Sequence, residues 1–356
     1  LPCQDNPVNL FAVVMAGGAG TRFWPLSRRL RPKQVLSLAG PKPLVAETLE
    51  RIRGIVPPGR TWIVTGADQA GAIRRAIPAA YANRIVAEPV ARDTSAAVAL
   101  GAALAAREDP SGVIAVLPAD HAIGPASCFR AALTRAAAFA HDRGGLLTFG
   151  IPPRNPSIQY GYIERGDAVP GASGFFRVRK FHEKPDLMRA RRYVAGGRFY
   201  WNSGIFAWRA DAIQEALAVH LPLHARALAR LPAGHRSPAF RRALARAYAA
   251  LPRISIDYGV LEKASDVFVT EAPFRWNDVG SFSAATEGRT PIHAILRDAE
   301  DCLVAGTPGH LVALVGVKNL LVVSTPDATL VCPREREAEA REVVKEIERK
   351  GWRQYL

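Results

Sequence analysis

Lysine, cysteine and long apolar runs are all scarce in this chain of 356 residues, and each scarcity excludes something. No apolar stretch reaches the roughly 20 residues a helix needs to span a bilayer, so no membrane partner is expected. The N-terminal run Leu1-Pro2-Cys3-Gln4-Asp5-Asn6 has neither a basic region nor an apolar core. It does not read as a secretory signal, and a cytoplasmic location is expected. The four cysteines (Cys3, Cys128, Cys302, Cys332) lie far apart without CxxC spacing, which excludes a disulfide framework and a zinc site. Only eight of the 47 basic residues are lysines, so Lys33 and Lys184 stand out where they occur.

The rest of the composition is that of a soluble globular protein, 49% hydrophobic and 22% charged, with material for one large domain or two. A net charge of +15 invites a nucleic-acid reading. The excess is arginine scattered through alanine-rich segments, as in Arg189, Arg191, Arg192 and the stretch 226–246. No basic run interleaved with aromatics and no zinc-finger, RRM or KH pattern accompanies it. The charge reads as a solvated face that also gathers anionic substrates, with no nucleic-acid partner.

The richest segment is Ala12-Val13-Val14-Met15-Ala16-Gly17-Gly18-Ala19-Gly20-Thr21-Arg22, continuing Phe23-Trp24-Pro25-Leu26-Ser27-Arg28 to Pro32-Lys33-Gln34. An apolar run of strand length breaks into a glycine loop, where backbone N–H groups can approach phosphate oxygens with no Cβ in the way. Arg22 offers a planar fork and Lys33 a point charge. The P-loop needs Lys-Ser/Thr after its glycines, and Thr21-Arg22 stands there instead. The dinucleotide fingerprint needs a further glycine where Phe23 sits. The loop therefore reads as a different kind of nucleoside-triphosphate site.

Short apolar strands at 11–15, 61–65, 84–87, 113–117 and 146–150 alternate with helical patterns at 44–53, 67–77, 94–107 and 127–140. That alternation predicts an α/β fold, a doubly wound, mainly parallel sheet with both faces covered. Ligands then bind beyond the carboxyl ends of the strands. Further strands fall near 161–165, 174–183, 204–209 and 267–271, with a long Arg/Ala-rich helical region at 211–250. After Pro291 the texture changes to a small C-terminal β appendage and a terminal helix at 335–349 with Val343, Val344 and Ile347 on one face. The expected organisation is one domain over 1–290, with halves at about 1–150 and 151–290, then the segment 291–356.

Other candidate residues sit at strand ends and in polar turns. Leu117-Pro118-Ala119-Asp120-His121 ends a buried strand on an acid, which suits a helix cap, a turn or a ligand equally. Trp276-Asn277-Asp278-Val279-Gly280 supplies a second acid. Two isolated aspartates match magnesium, which takes one or two carboxylates plus phosphate oxygens. His121 reads as structural. Phe181-His182-Glu183-Lys184-Pro185 reads as a surface ion pair or as a ligand site, and Tyr160-Gly161-Tyr162-Ile163-Glu164 and Trp201-Asn202-Ser203 carry groups suited to hydroxyls. Asp257 and Asp93 both suit helix capping. In Glu88-Pro89-Val90-Ala91-Arg92-Asp93-Thr94, the glutamate can accept from N1–H and the 2-amino group of guanine.

The loop from Gly17 to Gln34 resembles the signature of the sugar-nucleotide pyrophosphorylases, and Phe23-Trp24-Pro25-Leu26-Ser27-Arg28 narrows the resemblance to mannose-1-phosphate guanylyltransferases. It covers about residues 11–290 and implies a Rossmann-like nucleotidyltransferase fold, GTP and a sugar 1-phosphate as substrates, Mg²⁺ as cofactor and a homodimer. It implies Arg22, Lys33 and Lys184 as catalytic residues. Ala16, Gly17, Gly18, Gly20, Thr21, Glu88 and Thr94 would bind nucleotide. Gly161, Glu164, Glu183, Lys184, Asn202 and Asp257 would bind sugar phosphate, and Asp120 and Asp278 the metal. The family often has Gly-Arg-Asn-Thr-Ala-Pro where this chain has Ala91-Arg92-Asp93-Thr94-Ser95-Ala96. Larger members carry a fused isomerase barrel, for which the chain has no room, so isomerase activity is not expected. The alternatives are a sister enzyme for another sugar or base, and a non-catalytic regulatory subunit.

Overall fold

The computed structural model of the chain describes residues 8–18, 20–285 and 293–356. The boundary between 290 and 291 and the N-terminal run with Cys3 lie outside the described residues.

The first half alternates as its pattern predicts: β1 (Leu10–Met15), α1 (Leu44–Ile52), β2 (Thr61–Gly66), α2 (Ala70–Ala76), β3 (Ile85–Glu88), α3 (Asp93–Glu108) and β4 (Val113–Pro118). A short β5 (Ala122–Gly124) follows, then α4 (Ala126–Arg143) and β6 (Leu146–Ile151). The strands are continuous apolar runs because helices cover both faces of the sheet. Next come β7 (Tyr162–Ala168), β8 (Phe175–His182), α5 (Leu187–Ala195) and β9 (Phe199–Arg209). Then follow α6 (Ala210–His220), α7 (Pro222–Ala229), α8 (Pro238–Ala250), β10 (Val267–Glu271), β11 (Arg275–Asn277) and α9 (Phe282–Ala285). The stretch read as one long helical region is thus three helices. Pro222 opens the second of them, and Pro232 and Gly234 stand in the break before the third.

Nine strands form one sheet in the order β3-β2-β1-β4-β9-β6-β10-β8-β7. Only β8 and β9 run against the rest, so the sheet is mainly parallel. β7 also pairs with β9, so that β9, β6, β10, β8 and β7 form a closed ring of pairings. Inserted beside β4, β9 begins at Phe199, five residues before the predicted start, and brings Asn202 to the rim where β4 ends. The buried, alanine-rich α3 lies on β1 through Gly101, where a Cβ would stand 2.5 Å from the Val13 methyl carbons.

The C-terminal segment pairs β12 (His293–Arg297) with β14 (Leu311–Val315), and β13 (Leu303–Gly306) with β15 (Leu320–Ser324) and β16 (Thr329–Pro333). A 3₁₀ segment at Arg334–Glu339 precedes α10 (Ala340–Arg349), so the terminal helix starts later than predicted. Its buried face is Ala340, Val344 and Ile347, while Val343 faces outward. These side chains share a core with Phe23, Trp24 and Leu26 of the glycine-loop segment and with Val279 and Phe282. Among the described residues no helix is long and apolar enough to cross a membrane.

Candidate active site

A cavity of about 510 Å³ opens at the rim where β1, β3 and β4 end. Its wall includes Gly17, Gly18, Glu88, Thr94, Asp120, Gly161, Glu183, Asn202, Asp257 and Asp278. Ten predicted site residues, dispersed over 262 positions of sequence, therefore meet at one place. Ala16, Gly20, Thr21, Arg22, Lys33, Glu164 and Lys184 do not line it directly.

The glycine loop is held open from behind. Gln34 donates its side-chain N–H to the Gly17 carbonyl, and Gln69 donates to Gly18 O at 3.3 Å. Ser27 Oγ donates to Gly20 O at 2.6 Å. The N–H groups of Gly17, Gly18 and Gly20 find no acceptor among the described residues, the arrangement an anion needs. Gly20 sits at φ 61°, and a Cβ there would stand 2.5 Å from Lys33 Cβ, so the turn and the lysine are packed together. Ala16 is buried, its N–H on Val64 O at 2.7 Å and its carbonyl accepting from Thr65 at 2.8 Å; its backbone anchors the loop to the sheet. Thr21 opens the short helical turn 21–23, and Arg22 extends outward without an ion pair among the described residues.

Lys33 is buried behind the loop. Its ammonium contacts Asp120 Oδ2 at 2.8 Å and the main-chain oxygen of Asp278 at 2.9 Å. Burial pushes the Asp120 carboxyl upward, but Lys33 and His121 outweigh it and hold the group below the ordinary aspartate range. Tyr160 Oη donates to Asp278 Oδ1 at 3.0 Å, and Gly280 N–H donates to the same oxygen at 3.0 Å. The adjoining Val279 is held at φ 47°, a conformation costly for a β-branched residue and kept by its burial and by a bond from its N–H to Asn277 Oδ1 at 2.7 Å. Asp120 Oδ1 and Asp278 Oδ2 carry no hydrogen bond from another described residue. Two hard oxygen donors on the cavity wall suit magnesium, which completes its shell with phosphate and water. The described residues hold no cluster of three or more side-chain ligands that would cage a metal without a substrate.

His121 lies beside these acids as a neutral ring. Burial brings its pKa down to about 4. Trp276 Nε1–H donates to its Nδ1 at 3.1 Å, which leaves the ring proton on Nε2.

Glu88 closes β3 and is buried. Its Oε1 accepts from Tyr248 Oη at 3.1 Å, while Oε2 faces Gly17. Desolvation pushes its carboxyl up to about 7, against the opposing bond from Tyr248. Thr94 Oγ1 accepts the Ile256 N–H at 2.9 Å. Asp93 Oδ1 accepts only the adjacent Thr94 N–H at 2.8 Å, and α3 has no side-chain N-cap bond, so the capping expected of Asp93 is not made.

On the same wall, Asn202 donates to Asp257 Oδ1 at 2.7 Å, and its main-chain N–H bonds Gly161 O at 2.9 Å. A Cβ on Gly161 would stand 2.9 Å from Glu183 Oε2, so a side chain there would displace the carboxylate from its present position. Burial raises the Asp257 pKa, eased by Asn202 and aggravated by Glu183. Lys184 is exposed, at φ 30°, and pairs with Glu183 at 3.4 Å. Glu164 turns away to His182 at 3.1 Å and Arg179 at 3.6 Å.

Residues that sequence reasoning missed all act on those it found. Tyr248 comes from α8 onto Glu88 and carried no signal in the sequence. Arg51 donates to His121 O at 3.0 Å and braces the Asp120 turn. Tyr160 and Gln34 stood inside the motifs without a role.

Residues 11–294 match the nucleotidyl transferase family model, and residues 293–347 match the MannoseP isomerase/GMP-like beta-helix domain. The chain is 39% identical to the mannose-1-phosphate guanylyltransferase ManC of Salmonella typhimurium, over 96% of its own length and 74% of that protein's. It is 36% identical to the mannose-1-phosphate guanylyltransferase of Escherichia coli K12, with the same coverage. A crystal structure from Thermus thermophilus, named a mannose-1-phosphate geranyltransferase, superposes with a TM-score of 0.81 at 37% identity. That match covers 96% of this chain and 99% of the other. By this fold, these motifs and these relatives, the chain belongs to the nucleotidyl transferase family and, within it, to the mannose-1-phosphate guanylyltransferases.

Proposed function

We propose that the protein forms GDP-mannose and pyrophosphate from GTP and mannose 1-phosphate. One observation carries this reading: a single cavity is lined by Gly17 and Gly18 of the glycine loop, by Glu88, and by Asn202, Asp257 and Glu183. Asp120, just after β4, lies on the same wall and is paired with Lys33 behind it.

Guanine would lie toward Glu88, whose anion accepts from N1–H and the 2-amino group. The triphosphate would lie over the N–H groups of Gly17, Gly18 and Gly20, with Arg22 and Lys33 neutralising the leaving β- and γ-phosphates. Asn202, Asp257 and Glu183 would hold the sugar hydroxyls, and Lys184 would swing from Glu183 onto the sugar phosphate. That phosphate oxygen is already an anion near neutral pH. It attacks the α-phosphorus in line, one P–O bond forms as the bond to pyrophosphate breaks, and no general base is needed. Asp120 and Asp278 would hold Mg²⁺ through Oδ1 and Oδ2. When bound, that ion supplies charge neutralisation on the phosphate oxygens.

Incubation with GTP, mannose 1-phosphate and Mg²⁺, followed by chromatography of the nucleotides, tests the reading. Appearance of GDP-mannose supports it. Tight binding of GDP-mannose without turnover would replace it with the regulatory-subunit reading.

A further inference from the structure

The proposed chemistry uses no residue beyond Asp278, yet the C-terminal segment is built into the back of the phosphate loop. Trp24 Nε1–H donates to the Tyr355 carbonyl at 2.8 Å, and Arg28 donates to the same oxygen through Nη1. The other guanidinium nitrogen pairs with Asp327 Oδ1 at 2.9 Å and reaches Thr325 Oγ1 at 3.4 Å. The Arg28 side chain is only 14% exposed and lies 5.3 Å from the centre of the Trp24 ring. An arginine held by a carbonyl, a carboxylate and an aromatic face together is a fixed strut, not a solvated surface charge.

The strut leads to the candidate catalytic groups in short steps. Ser27, next to Arg28, bonds Gly20 O at 2.6 Å. Phe23, next to Trp24, packs on Phe282 with ring centres 4.9 Å apart, and the Lys33 ammonium lies 5.6 Å from the Phe23 ring centre. Arg22 is the residue between Thr21 and Phe23.

We propose that the C-terminal appendage clamps the phosphate loop through Arg28, and that Arg28 is a positioning residue for Arg22 and Lys33. The clamp sets where two cations stand relative to the triphosphate and touches nothing on the sugar side. It rests on the reading of residues 17–33 as the triphosphate site.

Arg28→Ala, Arg28→Lys and Asp327→Asn, each in the full chain, test it. Steady-state constants are measured for GTP and mannose 1-phosphate separately, with Mg²⁺-GTP affinity by calorimetry and the thermal midpoint. Arg28→Ala should lower kcat/KM for GTP about tenfold or more, since displacement of a positioned group by a fraction of an ångström is costly. KM for mannose 1-phosphate should stay within about twofold, and Arg28→Lys should recover part of the loss, since it keeps the charge facing Asp327. Asp327→Asn should shift GTP constants in the same direction by less, and it carries the test if Arg28→Ala does not fold. GTP constants within about twofold of the parent in the folded variants would overturn the clamp, as would equal rises in both KM values. If the parent protein itself shows no turnover, the functional reading fails first. The clamp is then judged on the calorimetric GTP affinity alone, which should still fall in the variants.

Discussion

The buried Lys33 ammonium pairs with Asp120 on the cavity wall at 2.8 Å, and the same ammonium reaches the Asp278 carbonyl at 2.9 Å. One cation thus ties the end of β4 to the turn after β11. In the proposed reaction that charge matters most as pyrophosphate departs. Lys33→Ala should therefore lower kcat by about 100-fold or more, with a much smaller change in KM for mannose 1-phosphate. Steady-state kinetics on both substrates check this, and an unchanged turnover number would remove Lys33 from the mechanism.

Glu88 gives a pH signature. Its folded pKa is raised to about 7 by burial, so the neutral form is favoured in the empty protein. The stability this brings is complete below the ordinary glutamate range, declines as pH rises toward 7 and is gone above it. The base contact proposed for Glu88 needs the anion, so kcat/KM for GTP should climb with pH until about 7 and then level. In Glu88→Gln both inflections should vanish. Thermal midpoints and GTP kinetics between pH 5 and 9 read them, and a Gln variant with the parent's profile would contradict the assignment.

The sugar side has a steric test. An added methyl at Gly161 would lie 2.9 Å from Glu183 Oε2 and push the carboxylate aside. Gly161→Ala should raise KM for mannose 1-phosphate about tenfold, the loss of one charged hydrogen bond, and leave KM for GTP nearly unchanged. Equal effects on the two substrates would place Glu183 elsewhere in the reaction.

The metal role proposed for Asp278 has its own test. Chelation with EDTA should abolish turnover, and Asp278→Asn should move the Mg²⁺ activation curve to concentrations about tenfold higher or more. A magnesium titration matching the parent's would show that the aspartate serves only the turn through Gly280.

The sheet was legible because β1 to β4 and β6 are unbroken apolar runs punctuated by loops and amphipathic or alanine-rich helices. The ring of pairings through β7 and β9 was not, since strand order depends on contacts between residues far apart, such as Tyr162 with Trp201. The wall residues Gly17, Asp120, Asn202 and Asp278 could be picked out because each lies in a motif after or between apolar segments. Tyr248 could not, because a tyrosine in an alanine- and arginine-rich helix reads as ordinary core until α8 is seen packed over Glu88. The motif Phe23–Arg28 was recognised without its reason: Trp24 and Arg28 face a carbonyl more than 300 residues away.

The most direct measurement is pyrophosphate release in Mg²⁺, with GTP, ATP and UTP each paired with mannose 1-phosphate and with glucose 1-phosphate. Release selective for GTP and mannose 1-phosphate is the predicted result. Release with a different pair would keep the cavity but reassign Glu88 or Glu183, and no release from any pair would contradict catalysis by this chain.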